Sequence, residues 1–351
     1  MSTALLEPSQ QSRGARALTT VLRSRELAIA IVLAVIVLAA TTRRHTFVIS
    51  HDGWRDTLLA PSILLLLAVG QMVVIVTRNV DLSVGSTLGL AAYATGKIFI
   101  AHPGIPVVLV FLAGLLIGAL LGAVNGFLVA FFRVPALVVT LGTMYVFRGY
   151  LTNRIGNGRI VAGDIPHNFE KLGTQQVLTI PVLTIIGLVV LAIVGYYLQT
   201  ARGGRELYAI GSDPDAARLY GLSVGKRVFG AFVLCGALAG LAGVFSVARY
   251  ATAFAGTGSG LELQAVAAVV IGGVAIFGGS GTVWGAAIGA FLLVTINRAL
   301  PILGISDFWQ GAVVGGLILG SIVLDRVLTL RRTHQLIEAR DEAPATSEDQ
   351  S

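Results

Sequence analysis

The 351-residue sequence predicts an all-α fold, a polytopic bundle of transmembrane helices with about ten spans. Three observations carry that prediction. Composition is the first: 55% of residues are hydrophobic, 12% are charged, and the mean hydropathy is +0.83. A soluble domain carries about 25% charged residues, so this chain lacks the polar surface to cover itself in water. The second is a succession of apolar runs separated by charges and turn residues. The third is what lies between the runs: the longest hydrophilic stretches, 148–176 and 199–227, leave no room for a soluble catalytic domain.

In order, the predicted spans are 27–42, 57–77, 82–101, 105–131, 134–150, 177–198, 228–248, 262–278, 282–300 and 306–324. The first has the length of a secretion-signal core. A long polar head precedes it and Thr41-Thr42-Arg43-Arg44 follows, so it reads as a retained span. Several spans fall short of the roughly 20 residues of a perpendicular crossing, which predicts tilted or broken helices with Arg43 and Arg148 snorkelling at their ends. Glycines recur four residues apart at Gly114–Gly118–Gly122–Gly126, Gly236–Gly240 and Gly281–Gly285–Gly289. On helices this spacing lines up small residues on one face for close packing. Gly118-Ala119-x-x-Gly122-Ala123 has a faint echo in Gly285-Ala286-x-x-Gly289-Ala290, on spans running oppositely, as an inverted repeat requires.

The domain plan is a disordered cytoplasmic head (1–25), a transmembrane domain (26–326) with a cytoplasmic loop at 199–227, and a cytoplasmic tail (327–351). With both termini inside, most basic residues fall in cytoplasmic segments. The Arg148–Lys171 loop is the main discrepancy. The net charge of +7 fits basic loops facing an anionic leaflet, with membrane lipid and no nucleic acid as partner. The single cysteine, Cys235, excludes an internal disulfide and sits in an apolar run.

Two polar segments stand out. Ser212 through Gly221 reads as one short helix: Asp213 caps the first amides, Pro214 takes the first helical position, and Gly221 ends it in a left-handed conformation. So short a helix does not persist alone in water. It either lies on its own bundle or is a lever presented to a cytoplasmic partner. In the segment Thr77–Ser86, Asp81 either caps the third helix with Arg78 as counter-charge, or joins Asn79 and Ser83 as polar groups at membrane depth. Asn125, Thr140, Gln264, Thr295 and Asn297 lie in apolar runs, as interhelical hydrogen bonds or as contacts along a solute path.

Absences narrow the function. None of Lys97, Lys171 and Lys226 is followed by Ser or Thr in a phosphate-binding loop, so ATP hydrolysis through that machinery is not expected of this chain. There is no zinc-ligand spacing, no nucleophile elbow and no arginine series for voltage sensing, and no metal or cofactor is implied. An ion-coupled secondary transporter stays open as an alternative, with Asp81 and Glu262 as its acidic candidates.

At these segments the sequence resembles the membrane permeases of bacterial binding-protein-dependent ABC importers, in the ribose, xylose, rhamnose and autoinducer-2 group. The matching residues are Asn79-Val80-Asp81-Leu82-Ser83-Val84-Gly85-Ser86, Val134-Pro135-Ala136 leading to Thr140-Leu141-Gly142-Thr143, and Gly211 through Ala216-Ala217-Arg218 to Gly221. Gly258-Ser259-Gly260-Leu261-Glu262-Leu263-Gln264-Ala265 and Gly278-Gly279-Ser280-Gly281-Thr282 complete the set. The resemblance implies a permease of that fold for a small sugar or sugar-like solute in the plasma membrane. Its partners would be a second permease subunit, identical or not, cytoplasmic ATP-binding subunits and an extracytoplasmic solute-binding protein. Coupling to the ATPase would fall to Gly211, Asp213, Ala216, Ala217, Arg218 and Gly221. Thr77-Arg78-Asn79, where many sugar permeases show Gly-Gly, looks closer to the rhamnose and autoinducer-2 members.

Overall fold

The computed structural model describes residues 25–309 together with 311–313, 315–316, 319–320 and 323. The expected disordered head up to residue 24, the tail and seven of the nineteen residues of the tenth span lie outside these residues. The described part is a helical bundle. Its helices are α1 (Arg25–Arg43), α2 (His51–Leu59), α3 (Pro61–Val76), α4 (Val84–Ala101), α5 (Val107–Ala130), α6 (Ala136–Ile155) and α7 (His167–Leu172). There follow α8 (Val182–Thr200), α9 (Arg202–Ser212), α10 (Pro214–Leu219), α11 (Val224–Tyr250), α12 (Leu261–Ile271) and α13 (Val283–Ile302).

Among the described residues, six helical stretches are long and apolar enough to cross a membrane: His51–Val76, α4, α5, α8, α11 and α13. Two apolar helical stretches are shorter, Ile29–Arg43 and α12. The 20-residue α6 has the length but carries Arg148, Asn153 and Arg154. The expected helix over 262–278 stops at Ile271, because Gly273 takes a φ of 86° and the chain turns through Gly278, Gly279 and Gly281, all at positive φ. Gly281 therefore leaves the predicted glycine stripe, and only Gly285 and Gly289 lie on a helix.

Apolarity all round a helix marks it as buried, and α3 is the case here: every residue from Pro61 to Val76 is buried. The 27-residue α11 packs beside it and against α4 and α5. The glycine stripes account for that closeness. A Cβ on Gly118 would strike the Gly236 carbonyl, one on Gly236 the Gly118 carbonyl, and one on Gly240 the Gly114 carbonyl. On α13, Gly285 and Gly289 meet the carbonyls of Gly272 and Ala268 in the same way.

The two polar loops are more structured than expected. Between α6 and α8 lie α7 and a two-stranded antiparallel hairpin of β1 (Gln176–Val177) and β2 (Ile180–Pro181). Fully buried Phe169 of α7 packs 4.7 Å from the Phe99 ring and closes one end of the bundle. At the other end, the single short helix predicted at 212–221 is preceded by a second, α9. Its glycines weaken local propensity, and burial of Leu207 and Ile210 holds it instead.

Candidate translocation site and coupling segment

Between α11 and α12 the chain is irregular. After α11, Ala251 enters the left-handed region at φ 49°, and the chain runs without helix to Leu261. Ala253 bridges to Ile160, whose side chain covers Gly96 of α4. Thr257 O lies where a Cβ on Gly89 would stand, 2.6 Å away, and Gly258 O likewise 2.5 Å from one on Gly85. From Gly96 to Gly85 is about 16 Å of helix, so the segment descends along α4 into the interior. Irregular backbone among membrane-length helices is tolerated where protein buries it or where it lines a cavity.

Both conditions are met. From α6, Arg148 Nη1 donates to Ala255 O at 2.9 Å and Thr257 O at 2.6 Å. Arg148 thus points inward and satisfies the irregular backbone, instead of snorkelling as the sequence suggested. Glu262 Oε1 accepts from Gly260 N at 3.0 Å, while its Oε2 is buried against Gly85 without a hydrogen-bond partner among the described residues.

On its other side the segment lines a cavity of about 660 Å³, with Asp56, Arg249, Tyr250, Phe254, Gln264, Asn297 and Arg298 among its walls. Asn297 Oδ1 is buried and has no hydrogen-bond partner among the described residues. Arg298 Nη1 donates to Thr57 Oγ1 at 2.8 Å, and its guanidinium lies 4.9 Å over the Phe47 ring. Arg249 stacks 4.9 Å over Tyr250. Two residues picked from the sequence, Gln264 and Asn297, are brought together here. Asp56, Arg249, Tyr250, Phe254 and Arg298 were missed, although Arg298 beside Asn297 in an apolar run was a legible signal.

The other picked residues gather elsewhere, at the elbow between α3 and α4. Asp81 Oδ1 accepts from Ser83 N at 2.8 Å and Ser83 Oγ at 2.7 Å, and Asn125 Nδ2 donates to Ser83 Oγ at 2.7 Å. Thr140 Oγ1 donates to Val80 O at 3.2 Å, and Asn79 turns back on Thr77 at 2.8 Å. Gln71, fully buried on α3, pairs its amide with both backbone groups of Asp81 at 3.1 Å when its oxygen and nitrogen are set to satisfy both. Arg78 is not the counter-charge of Asp81. At φ 64° it turns away and donates from Nε and Nη2, each at 2.5 Å, to the carbonyls of Gly211 and Ser212.

That contact joins the elbow to α9 and α10. Gly211 has no room for a Cβ, which would fall on Val76 O, and Gly279 N donates to that same carbonyl at 3.0 Å. Tyr208 OH reaches Gly281 O at 3.0 Å. Glu206 is clamped by Arg227 at 2.5 Å and Arg202 at 2.8 Å, and these hydrogen bonds, Arg227 first, hold its carboxyl below the usual range. Asp213 caps α10 through the amides of Ala216 and Asp215, each at 3.0 Å, which lowers its pKa. Gly221, at φ 79°, ends the turn as predicted. Of the residues named for coupling, Ala217 is buried at 5% exposure and faces the bundle. Arg218 is exposed and pairs with Asp215 at 2.6 Å; the apolar tip beyond it, Leu219 and Tyr220, is 89% and 87% exposed.

Residues 55–322 match the family described as branched-chain amino acid transport system / permease component. The autoinducer 2 import system permease protein LsrC of Enterobacter sp. (strain 638) is 39% identical over 75% of this chain and 76% of its own. LsrC of Klebsiella pneumoniae is 37% identical over 87% and 88%. The D-allose transport system permease protein AlsC of Escherichia coli is 33% identical over 85% and 90%. No solved structure matches significantly. A helical bundle with six membrane-length helices among the described residues, an irregular segment before α12 and a polar cavity agrees with these matches. The chain belongs to the family of branched-chain amino acid transport system / permease components.

Proposed function

We propose that the chain is the permease subunit of an ATP-driven importer, carrying a small sugar or sugar-like solute of the rhamnose or autoinducer-2 type across the plasma membrane. In this reading it crosses the membrane about ten times with both termini in the cytoplasm. It pairs with a second permease, cytoplasmic ATP-binding subunits and an extracytoplasmic solute-binding protein. The observation that carries the proposal is that two rigid elements each touch both the cavity and the coupling segment. The N-terminal end of α3 supplies Ile63 and Leu64 to the cavity, with Ala60 just before it, and its last carbonyl, Val76, sits against Gly211 and Gly279. The α12–turn–α13 unit supplies Gln264 and Asn297 to the cavity and packs its turn on Tyr208 and Ser212.

Movement of α9 and α10 by an ATPase would therefore be passed to the cavity walls through α3 and α13. A ligand shifts such an equilibrium only by its differential affinity for the two states, and nucleotide closure of the partner supplies that difference. The cavity suits a polyhydroxylated solute. Amides of Gln264 and Asn297 pair with hydroxyls, and the Tyr250 and Phe254 rings offer faces to sugar C–H groups.

The test is Leu219→Asp with Tyr220→Asp in the assembled transporter. Both side chains are exposed, so the variant keeps its fold while ATP-driven uptake falls to background. Uptake that persists in the variant, or that runs on an ion gradient with no ATPase present, contradicts the proposal.

A further inference from the structure

Arg78 sits where three elements meet. Its backbone, at φ 64°, takes a left-handed conformation that suits glycine and strains an arginine, so its side chain must return something for the strain. The guanidinium donates from Nε and Nη2 to the carbonyls of Gly211 and Ser212. These two residues end α9, where helix carbonyls lack intrahelical partners and the dipole favours a cation. The same charge acts on Asp213, the cap of α10, whose carboxyl is held low first by the amides of Ala216 and Asp215. The stem of Arg78 lies on the turn before α13: a Cβ on Gly278 would stand 2.6 Å from Arg78 Cγ.

The elbow that carries Arg78 also reaches the cavity by a path separate from α3 and α13. Val80 O, at the elbow, accepts from Thr140 of α6 at 3.2 Å. From Thr140 to Arg148 on the same helix is about 12 Å, and Arg148 holds the carbonyls of Ala255 and Thr257. Thr257, with Gly256 and Gly258, lines the cavity. We propose that the fork of Arg78 is the positioning contact that keys the coupling segment to the elbow, so that α6 carries its movement to the irregular wall segment. A planar guanidinium fixes two carbonyls at once, which the point charge of a lysine does not. This deepens the proposed function and rests on it.

The experiment uses the complete transporter in proteoliposomes, with its ATPase subunits and solute-binding protein, and reads solute taken up per ATP hydrolysed. Arg78→Gly removes the fork and suits the backbone, so the variant should assemble and melt as wild type does while this ratio falls about tenfold. Arg78→Lys should give an intermediate ratio, and it carries the test should Arg78→Gly not fold. A double-mutant cycle tests the path: Thr140→Val should lower the ratio alone and add nothing to Arg78→Gly. A wild-type ratio in either Arg78 variant overturns the proposal, and so do losses that add in the double variant. Uptake and hydrolysis that fall in step with a lowered melting transition would leave Arg78 a structural role only, which also overturns it. So does a folded Arg78→Gly that sheds its ATPase subunits, because Arg78 would then serve docking. Wild-type uptake that consumes no ATP contradicts the proposed function itself, and wild type alone shows it.

Discussion

The elbow around Asp81 and the cavity around Asn297 are both polar regions inside an apolar bundle, yet they are built on opposite plans. At the elbow, polar groups answer one another: Asp81 with Ser83, Ser83 with Asn125, Gln71 with the backbone of Asp81, and Thr140 with Val80. One acceptor there, Asn125 Oδ1, is left over. Around the cavity the backbone is irregular, space is open, and Asn297 Oδ1 accepts no hydrogen bond among the described residues. Polarity at depth alone does not mark a ligand site. A network of groups bonded mainly to one another positions helices; polar residues that line open volume are available to a solute.

The comparison breaks most readily at Arg148. Arg148→Ala leaves the carbonyls of Ala255 and Thr257 buried and unpaired, at roughly 1–3 kcal/mol each. Thermal unfolding of the detergent-solubilised protein should fall accordingly and uptake should vanish. An unshifted melting transition would show that the irregular segment needs no such support.

A paired measurement sharpens the contrast. Asp81→Asn weakens a buried hydrogen-bond set, so stability should drop by about 1–3 kcal/mol while the solute KM of the surviving transporter stays put. Asn297→Ala removes an acceptor with no partner among the described residues, so stability should stay within about 0.5 kcal/mol while KM rises about tenfold. Uptake assays beside unfolding curves check both. An exchange of the two signatures would reverse the assignment of the two regions.

The smallest effect expected is a pH dependence at Asp213. The amides of Ala216 and Asp215 lower its folded pKa, so its contribution to α10 is fully present above the usual aspartate value of about 3.9. The contribution is lost as pH falls through the lowered value. Protection of the 215–219 amides, followed by hydrogen exchange with the intrinsic rate removed, should be flat above about pH 5 and fall below it.

Much of this architecture was legible in the sequence. Long apolar runs announced α3, α5, α8 and α11, because a chain with so few charges has nowhere else to put them. Asp213, Pro214 and Gly221 announced α10, because capping and turn chemistry are local. The irregular segment before α12 and the early end of α12 were not legible. The apolar pattern of 262–278 does not distinguish a helix that ends at Ile271 from one that continues, and the support for 251–260 comes from Arg148, far off in sequence. Gln264 and Asn297 were found as polar residues in apolar runs, but Asn79, Asp81, Ser83, Asn125 and Thr140 carry the same signal. Only their partners in space separate them. The α9 helix was missed because its hold, Leu207 and Ile210 against the bundle and Glu206 between two arginines, is tertiary.

The account stands or falls on whether the hollow beside the irregular segment opens and closes with the coupling segment. Cys235 is the chain's one cysteine and is buried, so Asn297→Cys gives a clean probe. Its modification rate by a membrane-impermeant maleimide should be measured in the assembled transporter, with and without nucleotide and with and without solute. The rate should change with nucleotide and fall with solute, and the nucleotide response should disappear when Leu219→Asp is added. A rate indifferent to nucleotide and solute would contradict the account.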